Sequence, residues 1–355
     1  MGRKILIGSG LGVLLAAAYL LDTIVDAGVF RDINPHYNGT CTRVLGAVGV
    51  EDITVDHDSG LAYLSSHDRR TWAETGKKEG DIYVYRPGSL AAPLAMSHDL
   101  MHPFNPHGIS LWKSQDGPDR LFVVNHPDQA DGPIEPGNTS SQVEVFEIIA
   151  GALRHLRTVK TDAPYSLNDV AAVGKDEFFA TIDKGSFSAF GRTMETFLRL
   201  PRGGIAFADK LGMRKVMGGL TYPNGIQVVG DLVWVAESTG RHLIAFERKN
   251  SAGAITEIER HDLASSLDNI ELAADGTLWI GAHPQALKFP GHAADAAVRS
   301  PSQVLKVAPG GDGANVLEIY LNDGDPLSGS SVAAPYKRRL LVGSVFEPFI
   351  LDCSL

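Results

Sequence analysis

The chain is poor in cysteine, with only Cys41 and Cys353 among its 355 residues. That is too few for a cysteine-ligated zinc centre or a disulfide-dense scaffold. Positive charge is not in excess either: 32 Lys and Arg stand against 42 Asp and Glu. A net charge of −10 argues against a nucleic-acid partner and suits a protein that holds cations. There is no Gly-x-Ser-x-Gly elbow, no phosphate-cradling Gly-rich loop ending in Gly-Lys-Ser/Thr, and no His-Glu-x-x-His. A covalent serine mechanism is therefore disfavoured. After Leu21 no strong amphipathic helix is evident, and the only long apolar run is Ile5 to Leu21.

That run follows Arg3 and Lys4 and stops at Asp22. As a helix it would rise about 25 Å, at the short end of what spans a bilayer. It is expected to be a leader or signal anchor with its basic end in the cytoplasm, retained rather than cleaved, placing the rest of the chain outside the cytoplasm. The expected division is an anchor over 1–22, a linker over 23–40 and one globular domain over 41–355.

What the chain has in plenty is turn residues, with 38 Gly and 19 Pro, and short runs of β-formers between them. LAYLS from Leu61, DIYVY from Asp81, LFVVN from Leu121, VEVFE from Val143 and EFFAT from Glu177 are five such runs. LVWVA from Leu232, LIAFE from Leu243, LWIG from Leu278, VLKV from Val304 and LLVGSV from Leu340 continue the series. Paired runs such as DLVWVAESTGRHLIAFER read as hairpins, recurring every ~40–60 residues, the period of a propeller. An all-β propeller of six blades fits the length, and a pair of two-sheet sandwiches is the alternative. Two charged or turn-rich segments, His67 to Gly80 and Asp128 to Ser141, read as loops. Asn38 and Asn138 begin glycosylation sequons.

An even cysteine pair in an exported chain reads as a disulfide, here joining the two ends; two unpaired buried thiols are the alternative. Polar pairs recur where one unit gives way to the next strand: Glu51-Asp52, Asn168-Asp169, Asn224-Gly225 and Asp268-Asn269. Singly, each is an ordinary turn or strand cap. Brought together on a ring axis, they form an oxygen-rich set of the kind calcium takes. His107 in FNPHGIS and His126 in VVNHPD are candidate water-activating imidazoles, or structural histidines in loops. His283 in GAHPQ shares the His-Pro setting of His126, so that pairing reads partly as a turn device.

The segments VEDITVDHDSGLAYLSS, FNPHGIS, LFVVNHPD, SLNDVAAVG, NGIQVV, DNIEL, LWIGAHP and SSVAAPYKRRLLVGSVF, in this order and with Cys353, resemble the paraoxonase/arylesterase family. The likeness runs from Cys41 to the C-terminus. It implies a six-bladed propeller, closed by a Cys41–Cys353 bridge, with two calcium ions in its tunnel. It places Glu51, Asn168, Asn224, Asp268 and Asn269 at a catalytic calcium. Asp52, Asp169 and the carbonyl of Ile109 fall at a structural one, and His107 and His126 on the family's histidine pair. It also implies an uncleaved N-terminus that associates with lipid, and lactone or aryl ester substrates, with phosphotriesters as a side activity. Ala282 stands where vertebrate members carry a third cysteine, and Lys184 and Arg241 replace histidines near the mouth of the site. The loop after His126 is longer, and the stretch from Thr71 to Gly80 diverges. A sugar lactonase of the gluconolactonase/regucalcin kind and a non-enzymatic calcium-stabilised binding propeller are the competing readings.

Overall fold

The computed structural model describes residues 2–76, 80–127, 141–161, 163–310 and 315–355, with side chains from residue 14 onward. The segment 128–140, with the Asn138 sequon and nearly all of the loop expected there, lies outside the described residues; Asn38 is exposed. The ten apolar runs all form strands. Four of the sheets have four antiparallel strands in simple up-and-down order. The fifth has eight, and falls into two four-stranded halves joined through the single bridged pair Val50–Ser344. The hairpin Leu232–Glu237 with His242–Arg248 forms the middle pair of its sheet.

The first strands of these units form a closed circle. Val50–Asp56 lies against Pro106–Trp112, which lies against Ser166–Ala172. Pro223–Val229, Ser266–Leu272 and Ser330–Tyr336 follow in turn, and the last packs back on the first. This is a β-propeller, and it rules out the paired sandwich.

Each core cluster is shared by two neighbouring units. Phe122 and Val145 of one meet Phe178 and Ala206 of the next, and Phe179 and Phe207 meet Val235 and Phe246 in the same way. A fully buried Phe contributes about 1.5–3 kcal/mol, so stability is spread around the ring. The closure is covalent as well. Cys41–Leu45 runs antiparallel to Phe349–Ser354, with Cys41 and Cys353 opposite each other and bridged at 2.03 Å.

Joining residues 312 positions apart removes about 5–6 kcal/mol of loop entropy from the unfolded chain as an upper figure. Cys353→Ala is accordingly expected to cost ~2–5 kcal/mol, read as a lower urea midpoint. A midpoint equal to that of the oxidised wild type would show that the bridge does not hold the ring shut.

Three expectations about helices need correction. The first helix, α1, covers Gly2–Asp26 and so runs beyond Asp22 into the stretch expected to be linker. The charged segment after His67 is not all loop: Asp68 accepts from the Thr71 N–H at 3.0 Å and starts α2, Arg69–Thr75, which Gly76 ends in a left-handed turn. A short amphipathic helix α3, Ala189–Phe197, also forms, capped by the Ser188 hydroxyl. Such short helices are decided by caps and packing more than by periodicity. Among the described residues no helix is long and apolar enough to cross a membrane.

Candidate functional site

Each polar pair sits at the same structural fault. The register of every first strand with its hairpin partner slips at Val50/Asp52, Pro106/Ile109, Leu167/Val170, Pro223/Ile226, Leu267/Ile270 and Ser330/Val332. A bulge releases residues from the ladder and re-aims them. Glu51, His107, Asn168, Asn224, Asp268 and Asn269 all fall at these slips. The small residues there allow close approach. A Cβ on Gly108 would stand 2.3 Å from Asp169 Oδ1, and one on Gly225 would stand 2.5 Å from the Asp268 carbonyl.

The carboxylates and amides are buried: Glu51, Asp52, Asn168, Asp169, Asn224, Asp268 and Asn269 are each less than a tenth exposed. Asn269 Nδ2 donates to the Glu51 carbonyl and to Glu51 Oε1, both at 2.9 Å, tying two first strands together. Ser331 Oγ donates to the same Glu51 carbonyl at 2.6 Å. Asn224 Nδ2 donates to Ser238 Oγ at 3.0 Å, and that hydroxyl donates in turn to the Leu267 carbonyl at 2.6 Å. Four oxygens in this set are buried with no donor: Glu51 Oε2, Asn168 Oδ1, Asn224 Oδ1 and Asn269 Oδ1. Buried acceptors are rarely left so, and each one costs about 1–3 kcal/mol.

Asp52 and Asp169 are different. Asp52 accepts from the N–H of Ile53 at 2.8 Å and of Ile109 at 2.7 Å. Asp169 accepts from Val170 at 2.7 Å and Ile226 at 2.8 Å. Each carboxylate thus staples its own bulge to the next strand of the circle, and each oxygen keeps a second lone pair.

The electrostatics are unbalanced. Burial, then the charges of Asp52 and Asp268, pushes Glu51 well above the carboxylate range. Burial, then the charge of Asp52, does the same to Asp169. Burial, against two backbone N–H bonds, lifts Asp52 to about 7. Such a cluster favours a cation. Among the described residues no three His, Cys, Asp or Glu side chains form a metal-holding group; the orphan oxygens are mostly amide, a donor type of hard cations.

The histidines are arranged less simply. The rings of His107 and His126 are 5.0 Å apart, edge to face, and His126 Nδ1 lies 3.0 Å from Ser141 Oγ. Arg69 on α2 donates to His107 Nδ1 at 2.8 Å, while His107 Nε2 stands 3.5 Å from Glu51 Oε1. With Nδ1 accepting, the proton of the neutral ring sits on Nε2. Burial, then the Arg69 charge, holds His107 well below the ordinary imidazole value. Sequence reasoning missed Arg69, which lies in the charged segment after His67 that was expected to be a loop. It also passed over His283, whose Nε2 is 2.8 Å from Asp268 Oδ2 and whose Nδ1 has no partner. The Asp268-Asn269 pair on the strand just before His283-Pro284 was the available signal.

A cavity of about 240 Å³ opens beside this set. Asn224, Asp268 and His283 line it, with Phe197, Leu287 and Phe289 as apolar walls. Glu51, Asn168, Asn269, His107 and His126 are not among its lining residues.

Residues 81–355 match the family model described as Arylesterase. The chain is 30% identical to serum paraoxonase/arylesterase 2 of Rattus norvegicus over 100% of both chains. It is 29% identical to serum paraoxonase/arylesterase 1 of Homo sapiens, covering 99% of this chain and 98% of that one. In fold it is similar to regucalcin from Agrobacterium tumefaciens, described as calcium-binding, with TM-score 0.52, 15% identity and 89% and 93% of the two chains covered. The bulged polar pairs, the terminal bridge and these full-length likenesses lead to one conclusion: the chain belongs to the arylesterase family, that of the serum paraoxonases.

Proposed function

We propose that this protein is a calcium-dependent hydrolase of lactones and aryl esters. The carrying observation is the set of four buried oxygens without donors, set among carboxylates whose charges repel. Glu51, Asn168, Asn224, Asp268 and Asn269 would hold the catalytic calcium. Asp52, Asp169 and the Ile109 carbonyl would hold a second, structural one. A bound divalent cation supplies the positive charge that polarises an ester carbonyl. The protein's own residues do the rest. Phe197, Leu287 and Phe289 take the apolar part of the substrate, and an imidazole takes the proton of the attacking water. That water's oxygen bonds to the carbonyl carbon, the carbon–alkoxy bond breaks, and the proton passes to the departing oxygen.

His107 is the proposed base, with His126 packed against it; the Arg69 bond to Nδ1 must open before the ring can act, whether Nδ1 takes the proton itself or receives the ring proton so that Nε2 can. A second reading favours His283, because its Nδ1 is free while Asp268 anchors Nε2. We count the four single sheets and the two halves of the fifth as six blades, over residues 41–355. The apolar part of α1 is proposed as a lipid-associated anchor, with the catalytic domain outside the cytoplasm. Leu14, Leu15, Leu20 and Leu21 present apolar surface there, each more than half exposed.

Chelation should abolish hydrolysis of both a γ-lactone and phenyl acetate, and calcium should restore it. Stability gives a second readout with a definite sign. In the metal-free protein Asp52 titrates at about 7 rather than near 4, so ionisation from pH ~4 to 7 weakens the folded state. A bound cation reverses that cost. The gap in melting temperature between calcium-loaded and chelated protein should therefore widen from about pH 5 to 8. A gap that is absent or narrows with pH would count against the metal. Hydrolysis untouched by chelation would point to a propeller that binds calcium without using it.

A further inference from the structure

The end of α1 is part of the cavity. Thr23, Asp26 and the following Ala27 line the same space as Asn224, Asp268 and His283. The attachment is specific. Asp26 forms an ion pair with Arg199 through one carboxylate oxygen and with Arg241 through the other, the latter at 3.0 Å. Arg199 also pairs with Asp22, and Arg241 with Asp262 at 2.8 Å. The Tyr19 hydroxyl donates to the Leu198 carbonyl, and its ring lies 5.4 Å from the Arg199 guanidinium. Beyond the helix, Ala286 N–H donates to the Ala27 carbonyl at 2.9 Å. Gly28, at φ 72°, passes so close that a Cβ would stand 2.0 Å from the Pro284 carbonyl.

The backbone supplies an independent observation. Arg199, Tyr222 and Arg241 have φ of 46°, 52° and 63°, a left-handed conformation that side chains other than glycine rarely adopt. All three line the cavity. Strain of this kind persists where surrounding contacts over-determine it, and it clusters at ligand clamps. A glycine would relieve it at 199 and 241, but would give up both cations that hold Asp26. The two strained arginines are about four-fifths buried, as is most of Asp26, at 19%, 19% and 24% side-chain exposure. Their pairing is thus shielded from the screening that weakens surface ion pairs.

We propose that Asp26 is a positioning residue for the hydrolytic reaction: by clamping Arg199 and Arg241 it holds the end of α1 as a wall of the substrate cavity, and so sets the grip on a substrate's non-reacting chain. This rests on the hydrolase reading for its kinetic consequence. A small ring sits at the polar floor and does not reach α1, whereas a long alkyl substituent lies along Ala27, Phe197 and Leu287. Loss of the clamp removes binding that ground state and transition state share, which raises KM and leaves kcat.

The test uses the full chain with Asp26→Asn and Asp26→Glu, assayed on unsubstituted γ-butyrolactone and on a γ-lactone bearing a long alkyl chain. For Asp26→Asn the KM for the long substrate should rise about five- to tenfold with kcat within about twofold, and the small ring should be unaffected. Asp26→Glu should recover most of the loss. An unchanged KM, or an equal rise for both lactones, would overturn the clamp. Hydrogen exchange of residues 19–28 reads docking without reference to activity. Faster exchange in Asp26→Asn supports the clamp, and unchanged exchange refutes it. A wild type that hydrolyses neither lactone counts against the hydrolase reading alone, and the exchange result then decides the clamp.

Discussion

If the proposed calcium site is correct, Asn168→Ala is expected to cost most of the bound calcium and most of the activity. The side chain is buried at a bulge in a first strand, and its Oδ1 has no donor. An amide oxygen in that state is a poor contributor to the metal-free protein and a good one to a bound cation. Removing it therefore weakens the ion's site without breaking a hydrogen bond of that oxygen. Loss of one transition-state electrostatic contact typically costs about 10²–10³-fold in kcat, and we expect a fall of that order in lactone turnover at low calcium. Raising calcium should recover part of it, because the other proposed donors would be left in place. Asp268→Ala should fall further and recover less, since it also deprives His283 of its 2.8 Å partner. Metal content measured beside activity decides the matter. Asn168→Ala with full metal and undiminished turnover would remove these oxygens from the mechanism.

The second large effect is expected at His107. His107→Gln should lower lactone turnover about 10²–10⁴-fold, the usual contribution of a positioned acid or base, with metal content kept. Glutamine retains a group able to accept from Arg69 and differs chiefly in being unable to take a proton. A near-normal rate would dismiss His107 as the base. Collapse in His283→Gln alone would then transfer the role to the ring whose Nδ1 is free. The comparison is informative because the two rings differ in a definite way. One has its accepting nitrogen covered by a guanidinium, the other by nothing. The metal test and the histidine test are separable, since the first is read in bound calcium and the second in rate at full occupancy.

Much of the architecture was legible because it rests on local chemistry. Runs such as Leu232 to Ala236 and Leu340 to Val345 have the β-branched and apolar content of buried strands, and each became one. The cysteines near the two ends predicted a closed fold, and Cys41 and Cys353 are opposite partners in the last unit. The polar pairs were visible as residues, yet the device that presents them was not. A bulge depends on how two strands slip against each other, so nothing in SLNDV or DNIEL alone distinguishes a released Asn168 from a ladder residue.

Short helices were the weakest point, because α2 and α3 depend on Asp68 and Ser188 as caps and on what they pack against. Arg69 could be read as an ordinary surface charge in a charged segment; only the turn of α2 carries it to His107. His283 looked like half of a His-Pro turn until the fold set it against Asp268. The sequence by itself determined a β-rich chain of this family, because composition, alternation and motif order act over a few residues. Tertiary structure alone decided which oxygens are left without donors, that His283 keeps a free ring nitrogen, and that the end of α1 lines the cavity. Those outcomes depend on contacts between residues as far apart as Asp26 and Arg241, which local chemistry cannot encode.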